Sequence, residues 1–297
     1  MAGEKKDVRI FETDDELSDG LAKYTVEIFR KLTQQKSNFT VVLSGGYLIQ
    51  KLRKLVEPPY VDEIDWSKWH VFWVDERVVM KDDPDSNYRL ANEGFLSKVP
   101  IPPAQIYAIN DNLDAEGAAD DYEAKVKELV EHGVVDVSPH TKFPRFDLML
   151  LGIGHDGHLA SLFPNHELLQ EKEKWVTFIK DSPKPPPVRI TFTFPVINAS
   201  AYIFMVVAGT AEVDAVKKAV EVILNYLNFI NVVNWPKERG EELGIGDIWK
   251  STKRRGTLRN VTYITDDIRR EAQTMSLIDH PNVVKGYCSF VVEHSFG

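Results

Sequence analysis

The order of apolar and amphipathic segments predicts an α/β fold, a doubly wound, mainly parallel sheet with helices on both faces. Short apolar runs alternate with amphipathic ones from the start of the chain to about residue 227. Several of these runs are β-branched or aromatic and end in Gly or Asp, as buried strands of a parallel sheet do. Strands alternating with helices imply right-handed crossovers, which cover both faces of the sheet.

In chain order, residues 8–11 form the first strand candidate, and Asp14 and Asp15 open a helix that runs to about 34. A second strand over 39–43 ends in Ser44-Gly45-Gly46, followed by a helix over 47–56. Further strands are expected at 70–74, 146–151, 190–194 and 202–207, with helices at 115–131 and 213–227. The Pro185-Pro186-Pro187 run reads as a stiff, extended loop entering the strand at Ile190. Residues 1–227 thus form one α/β domain. Over 228–297 the strand–helix rhythm is lost, and this stretch reads as a divergent tail without a domain of its own. Its basic cluster, Lys253-Arg254-Arg255, is short enough to be a solvated loop.

Composition narrows the function. The 297 residues hold 36 Lys and Arg against 45 Asp and Glu, a formal net charge of −9. That balance argues against nonspecific nucleic-acid binding, which needs a surplus of cations. The lone Cys288 excludes an intramolecular disulfide and a multi-cysteine metal site, and it suits a reducing compartment. No apolar run reaches the roughly 18–20 residues that span a bilayer. The start, which carries two acids and no long apolar stretch, resembles neither a secretory signal nor a transit peptide. The expected address is the cytoplasm, with no membrane, no nucleic acid and no obligate protein partner.

Ligands of open α/β sheets bind at the carboxyl ends of the strands, and three loops there are unusual. Gly45-Gly46 before a helix would free N–H groups at a positive helix end, suited to a phosphate or carboxylate, though such pairs also serve as plain tight turns. Asp75-Glu76-Arg77 is either a solvated strand end with an internal ion pair or a ligand-side group in which Asp75 orients a water or an imidazole. The third loop, Gly152-Ile153-Gly154-His155-Asp156-Gly157-His158, reads as a strand-to-helix turn held by the apolar segment 159–163. A neutral imidazole at His158 can take a proton from water near neutral pH, and N–H groups of the turn, including those of Gly154 and Gly157, can stabilise an oxyanion. His155, His158 and His166 do not match the helical spacing of zinc enzymes, so no metal is expected. Ser44 lacks a Gly-x-Ser-x-Gly elbow, which leaves direct attack by water as the simpler mechanism.

Ser44-Gly45-Gly46, Trp73-Val74-Asp75-Glu76-Arg77, Pro84-Asp85-Ser86-Asn87-Tyr88, Leu151-Gly152-Ile153-Gly154, Asp156-Gly157-His158, Ala160-Ser161-Leu162-Phe163-Pro164 and the segment from Asp181 to Arg189 together resemble the 6-phosphogluconolactonase family. The resemblance covers about 8–225 with the motifs in order. The related glucosamine-6-phosphate isomerases share the fold, but the Asp156-Gly157-His158 and Pro-rich Arg189 segments look more like the lactonase. The resemblance implies hydrolysis of 6-phosphogluconolactone to 6-phosphogluconate in the pentose phosphate pathway, without metal or cofactor. It implies that His158 is the base activating water and that Asp75 assists in positioning. Arg77 and Arg189 would bind the anionic substrate, while Ser44, Gly45, Gly46 and Asn87 line the pocket.

The chain departs from the family pattern at Tyr47 (usually Ser or Thr), His155 (usually Pro), Asn165 (usually Gly) and Glu212, where a phosphate-facing Lys is typical. Two unit charges about 4 Å apart interact by about 4 kcal/mol at an effective dielectric of 20, so a carboxylate facing the phosphate would cost orders of magnitude in affinity. Tyr47, Glu212 and the replaced C-terminus favour the alternative, a catalytically impaired relative with weak or no sugar-phosphate binding. Ring-opening isomerisation of an amino-sugar phosphate is a third reading. The stretch at about 265–292 resembles helix C and the next strand of Ser/Thr protein kinases, with Glu271 in the helix-C glutamate position. No kinase Gly-rich loop, His-Arg-Asp loop or Asp-Phe-Gly motif accompanies it, so kinase activity is excluded. The tail reads as a fusion remnant whose apolar stretch 287–292 has no partner.

Overall fold

The computed structural model describes Phe11 and residues 13–207. Phe11 apart, the expected strand at 8–11 lies outside the described residues, as do the helix at 213–227, Glu212, and the tail with its kinase-like stretch. The first helix, α1 (Asp14–Thr33), begins with a capping box. Thr13 Oγ1 accepts the Glu16 N–H while Glu16 Oε2 accepts the Thr13 N–H, both at 3.2 Å. Three acids in its first turn and Arg30 and Lys31 in its last complement the helix dipole.

Strand β1 (Phe39–Leu43) is buried throughout. The helix expected over 47–56 splits into α2 (Leu48–Lys51) and a 3-10 stretch, Leu52–Val56. Tyr47 offers no side-chain cap and Pro58 follows closely, so the segment is too short and unsupported to hold an α-helix. Then come β2 (Trp69–Trp73), β3 (Asp75–Arg77), α3 (Asn87–Gly94) and α4 (Ala115–Glu131), the last as expected and capped by Asp114. A minor hairpin, β4 (Asp136–Val137) with β5 (Pro144–Arg145), precedes β6 (Leu148–Leu151). The chain continues through β7 (Val176–Ile179), β8 (Arg189–Phe192), α5 (Phe194–Ala199) and β9 (Tyr202–Met205).

Strands β2-β1-β6-β9 form a four-stranded parallel sheet, with Leu43 level with Trp73 and Leu150. Alternate strand residues enter two cores. Val42, Phe72, Met149 and Ile203 pack with α4, whereas Val41, Val71, Leu150 and Phe204 pack with α1 and α2. Helices therefore cover both faces. The strand expected over 190–194 does not join this sheet. It is β8, between β3 and β7 in a separate antiparallel sheet. A run buried at every position has the signature of a parallel strand, and its pattern says nothing of direction. Val74 joins the two sheets, donating to Leu43 O at 2.9 Å and accepting from Phe192 N at 2.7 Å.

The end of the parallel sheet remote from the strand-end loops is pinned by Asp147. Its Oδ2 accepts the N–H and hydroxyl of Thr40 at 2.8 and 3.0 Å, and Lys36 Nζ lies 2.6 Å from Oδ1. Burial pushes this carboxyl up, against the pull of the Lys36 ammonium and the Thr40 donors. Removing one partner of a buried ion pair strands the other, so Lys36→Met is expected to lower unfolding free energy by about 3 kcal/mol at neutral pH. Without Lys36 the Asp147 carboxyl binds its proton more tightly in the folded than in the unfolded chain, so the deficit shrinks as pH falls. Urea unfolding at two pH values checks both statements.

Candidate active site

The loops after β1, β2 and β6 meet at the carboxyl edge of the parallel sheet. Ser44 donates its N–H to Leu150 O at 3.0 Å, and its hydroxyl accepts the Gly152 N–H at 3.4 Å, so the first and third loops are stitched together. Asn87, the first residue of α3, donates its side-chain amide to Asp75 O at 3.0 Å. A Cβ on Gly45 would stand 1.8 Å from Asn87 Oδ1, so only glycine lets that amide lie against the turn. Gly46 has φ +68°, in the left-handed region. The helix that follows is four residues long, so the expected positive helix end contributes little. Tyr47 does not clash at this turn. Its ring packs beside Gly152, and its hydroxyl donates to Val206 O just past β9.

The third loop is not a strand-to-helix turn. After β6 the chain passes through turns to a 3-10 segment at Glu167–Gln170. Gly154 N–H donates to His158 O and Gly157 N–H to Gly154 O, both at 2.9 Å. These two groups, expected as oxyanion donors, close the turn instead. Gly157 at φ +84° bends the backbone enough for side chains two residues apart to meet. The result is a hydrogen bond of 2.5 Å between Asp156 Oδ1 and His158 Nδ1. The imidazole stacks on Phe163 at 4.6 Å between centroids, and its side chain stays 21% exposed. A Cβ on Gly154 would fall 2.2 Å from both Cε1 and Nδ1 of His158. Asn165 adopts φ +61°, which Asn tolerates better than most residues.

Burial raises the Asp156 carboxyl, but the hydrogen bond and charge of His158 and the charge of Lys184 outweigh it and hold it well below the usual carboxylate range. An ionised Asp156 on Nδ1 keeps the proton there and leaves Nε2 as the basic nitrogen. Asp75, expected to assist His158, engages another group: its Oδ2 accepts the Ser161 hydroxyl at 2.8 Å. Asp156 is visible in the sequence only as part of the Asp156-Gly157-His158 motif. Its role depends on the backbone bend rather than on spacing.

Of the two expected anion-binding arginines, Arg77 donates from Nη1 to Asp85 O at 2.7 Å, and its buried Nε has no hydrogen-bond partner among the described residues. Arg189 is 2% exposed and committed internally. Its Nε reaches Pro186 O at 2.9 Å, Nη2 reaches Lys184 O at 2.8 Å, and Nη1 lies 3.4 Å from Ser161 Oγ. Through these contacts it tethers the Pro-rich loop. That loop presents Lys184, absent from the expected site residues, with Nζ 2.9 Å from His155 Nε2 and 3.7 Å from Asp156 Oδ2. A lysine flanked by prolines was the available signal. The three histidines of this region have separate partners, His166 meeting Asp181 at 3.3 Å. Glu76 is buried, and burial pushes its carboxyl up to about 7 against the pull of the Asn87, Arg77 and Tyr88 N–H groups.

A carboxylate-oriented imidazole at the strand ends, beside a cationic loop, is equipped to activate water against an anionic substrate. The family of glucosamine-6-phosphate isomerases/6-phosphogluconolactonase matches residues 12–226, well over half of the chain. The chain belongs to this family. Within it, a protein of Oryza sativa subsp. indica named probable 6-phosphogluconolactonase 4, chloroplastic, is 66% identical over 213 residues, covering 72% of this chain and 66% of that protein. The 6-phosphogluconolactonase 3, chloroplastic, of Arabidopsis thaliana is 58% identical over 218 residues, covering 73% and 67%. The chain thus spans about two thirds of the length of these relatives. The crystal structure of the 6-phosphogluconolactonase of Thermotoga maritima matches with TM-score 0.61 at 28% identity, over 72% of this chain and 90% of its own. Both plant relatives carry the word chloroplastic, so the expectation of a cytoplasmic address gains no support from them.

Proposed function

We propose that the chain hydrolyses 6-phosphoglucono-1,5-lactone to 6-phosphogluconate, as a step of the oxidative pentose phosphate pathway; the relatives' names support the lactonase activity. The observation that carries this is the Asp156–His158 hydrogen bond on the Gly154–Gly157 turn. His158 Nε2 takes a proton from water, and the oxygen adds to the lactone carbonyl to give a tetrahedral oxyanion. Collapse re-forms the carbonyl and breaks the bond to the ring oxygen, which receives the proton held on His158. The new carboxylic acid then releases its own proton to solvent. Asp156 balances the imidazolium charge through the cycle, and the Lys184 ammonium offsets the developing oxyanion.

Arg77 and Asn87 hold the anionic end of the substrate, with the Ser44–Gly46 turn lining the pocket. Arg189 serves by holding the loop that carries Lys184. Asp75, through Ser161, links β3 to the loop just after His158. Side chains and water carry every step.

The phosphate supplies much of the binding energy in this account, so specificity is its test. Purified protein should open the phosphorylated lactone with a kcat/KM at least about 100-fold above that for unphosphorylated gluconolactone. It should release no ammonia from glucosamine 6-phosphate. Ammonia release would instead establish the isomerase branch of the family, and equal use of both lactones would remove the phosphate-binding role of Arg77.

A further inference from the structure

Glu76 carries a carboxylate that no step of the proposed reaction uses. Its side chain leaves β3 on the face opposite Asp75 and Arg77, since neighbours along a strand alternate, and only 2% of it is exposed. Oε1 accepts the N–H groups of Arg77 at 2.8 Å and Asn87 at 2.7 Å. Oε2 accepts that of Tyr88 at 2.7 Å and the Ser86 hydroxyl at 3.4 Å. The first N–H groups of a helix have no partner within it. In α3 the first two, of Asn87 and Tyr88, go to Glu76, and the third, of Arg89, goes to Ser86 Oγ at 3.2 Å.

As a helix cap this is an unusual arrangement, because the acceptor comes from a strand rather than from the residue before the helix. Two of the three N–H donors belong to Arg77 and Asn87. Arg77 also grips the chain leading into α3 through Asp85 O, and Asn87 reaches back to Asp75 O and lies against Gly45. The Glu76 carboxylate therefore joins the strand that carries Arg77 to the helix that carries Asn87. The Asp156–His158 pair stands on a different loop, and Glu76 makes none of its hydrogen bonds to that loop.

We propose that Glu76 is a positioning residue for substrate binding, its buried carboxylate locking Arg77 and Asn87 into one rigid unit before the anion arrives. The identity of the anion rests on the lactonase reading; the locking does not. Binding groups held in place beforehand lose less freedom when the ligand docks, so the effect falls on affinity rather than on the chemical step.

The test is Glu76→Gln, which keeps the shape but removes the charge and turns an amide N–H2 toward backbone donors. KM for the phosphorylated lactone should rise about tenfold or more with kcat within about twofold of wild type. The Kd for 6-phosphogluconate, read by calorimetry, should weaken by the same factor. Glu76→Asp, which keeps the charge on a shorter stem, should recover part of the loss. A purely structural cap would lower the unfolding temperature and the active fraction while leaving KM and Kd alone, and that result overturns the proposal. If Glu76→Gln does not fold, Glu76→Asp carries the test, with a raised KM at unchanged kcat expected and an unchanged KM overturning it. A wild-type protein that turns over no lactone defeats the functional reading, and Kd for 6-phosphogluconate and inorganic phosphate then decides. Weaker binding by the variant supports the locking role, whereas equal binding, or none by wild type, ends it.

Discussion

His158→Ala should lower kcat for lactone opening by about a thousandfold while KM stays within about threefold, because the ring moves protons during the reaction rather than holding the anionic end of the substrate. The side chain is partly exposed and stacks on the Phe163 ring, so the variant should fold normally. Asp156→Asn is the companion. An amide on Nδ1 can donate as well as accept, which moves the proton to Nε2 and removes the base. A fall of about a hundredfold in kcat is expected, with little change in unfolding temperature. Both are read against the spontaneous rate, since such lactones open without help. A variant as fast as wild type at His158 would place the base elsewhere, and Asp75 with Ser161 would be the next pair to mutate.

Gly154→Ala should be nearly as damaging, although it adds a single methyl group. The new Cβ would stand 2.2 Å from two atoms of the imidazole and 2.7 Å from Asp156 Oδ1. Either the ring rotates away from Asp156 or the turn shifts, and displacement of a catalytic group by about 1 Å can cost a hundredfold in rate. The obstructing atoms are side-chain atoms at the surface of the loop, so stability should change little while kcat falls by about a hundredfold or more. Rates of wild type and variant measured beside their unfolding curves separate the two effects. A variant that keeps wild-type kcat would mean that the ring works in another orientation.

Much of the frame is legible in the sequence because local and global signals agree. Phe39–Leu43, apolar but for Thr40, and the wholly apolar Leu148–Leu151 are buried at every position, and α1 and α4 open on Thr13 and Asp114 caps. Elements without an apolar period escaped. Only Asn87 and Ala91 of α3 are buried, and its N-terminus is stabilised by Glu76, ten or more positions earlier in the chain. The direction of β8 escaped because a fully buried strand reads alike in parallel and antiparallel sheets.

At the site, the loops were found by their position after strands, but the partners within them depend on backbone bends. Gly157 brings Asp156 to His158, and the carbonyls of the Pro-rich loop capture Arg189. Tyr47 reads as an obstacle in the sequence, yet in the fold it spans from the glycine turn to Val206. It therefore lends no weight to the impaired reading, whose remaining arguments, Glu212 and the altered C-terminus, lie outside the described residues.

The most direct test of the central claim is the rate at which purified wild-type chain consumes 6-phosphogluconolactone at neutral pH, beside a protein-free control. A rate that exceeds the control, scales with protein concentration and saturates with substrate is what a water-activating His158 predicts. A rate indistinguishable from spontaneous opening, with the chain folded, would contradict it.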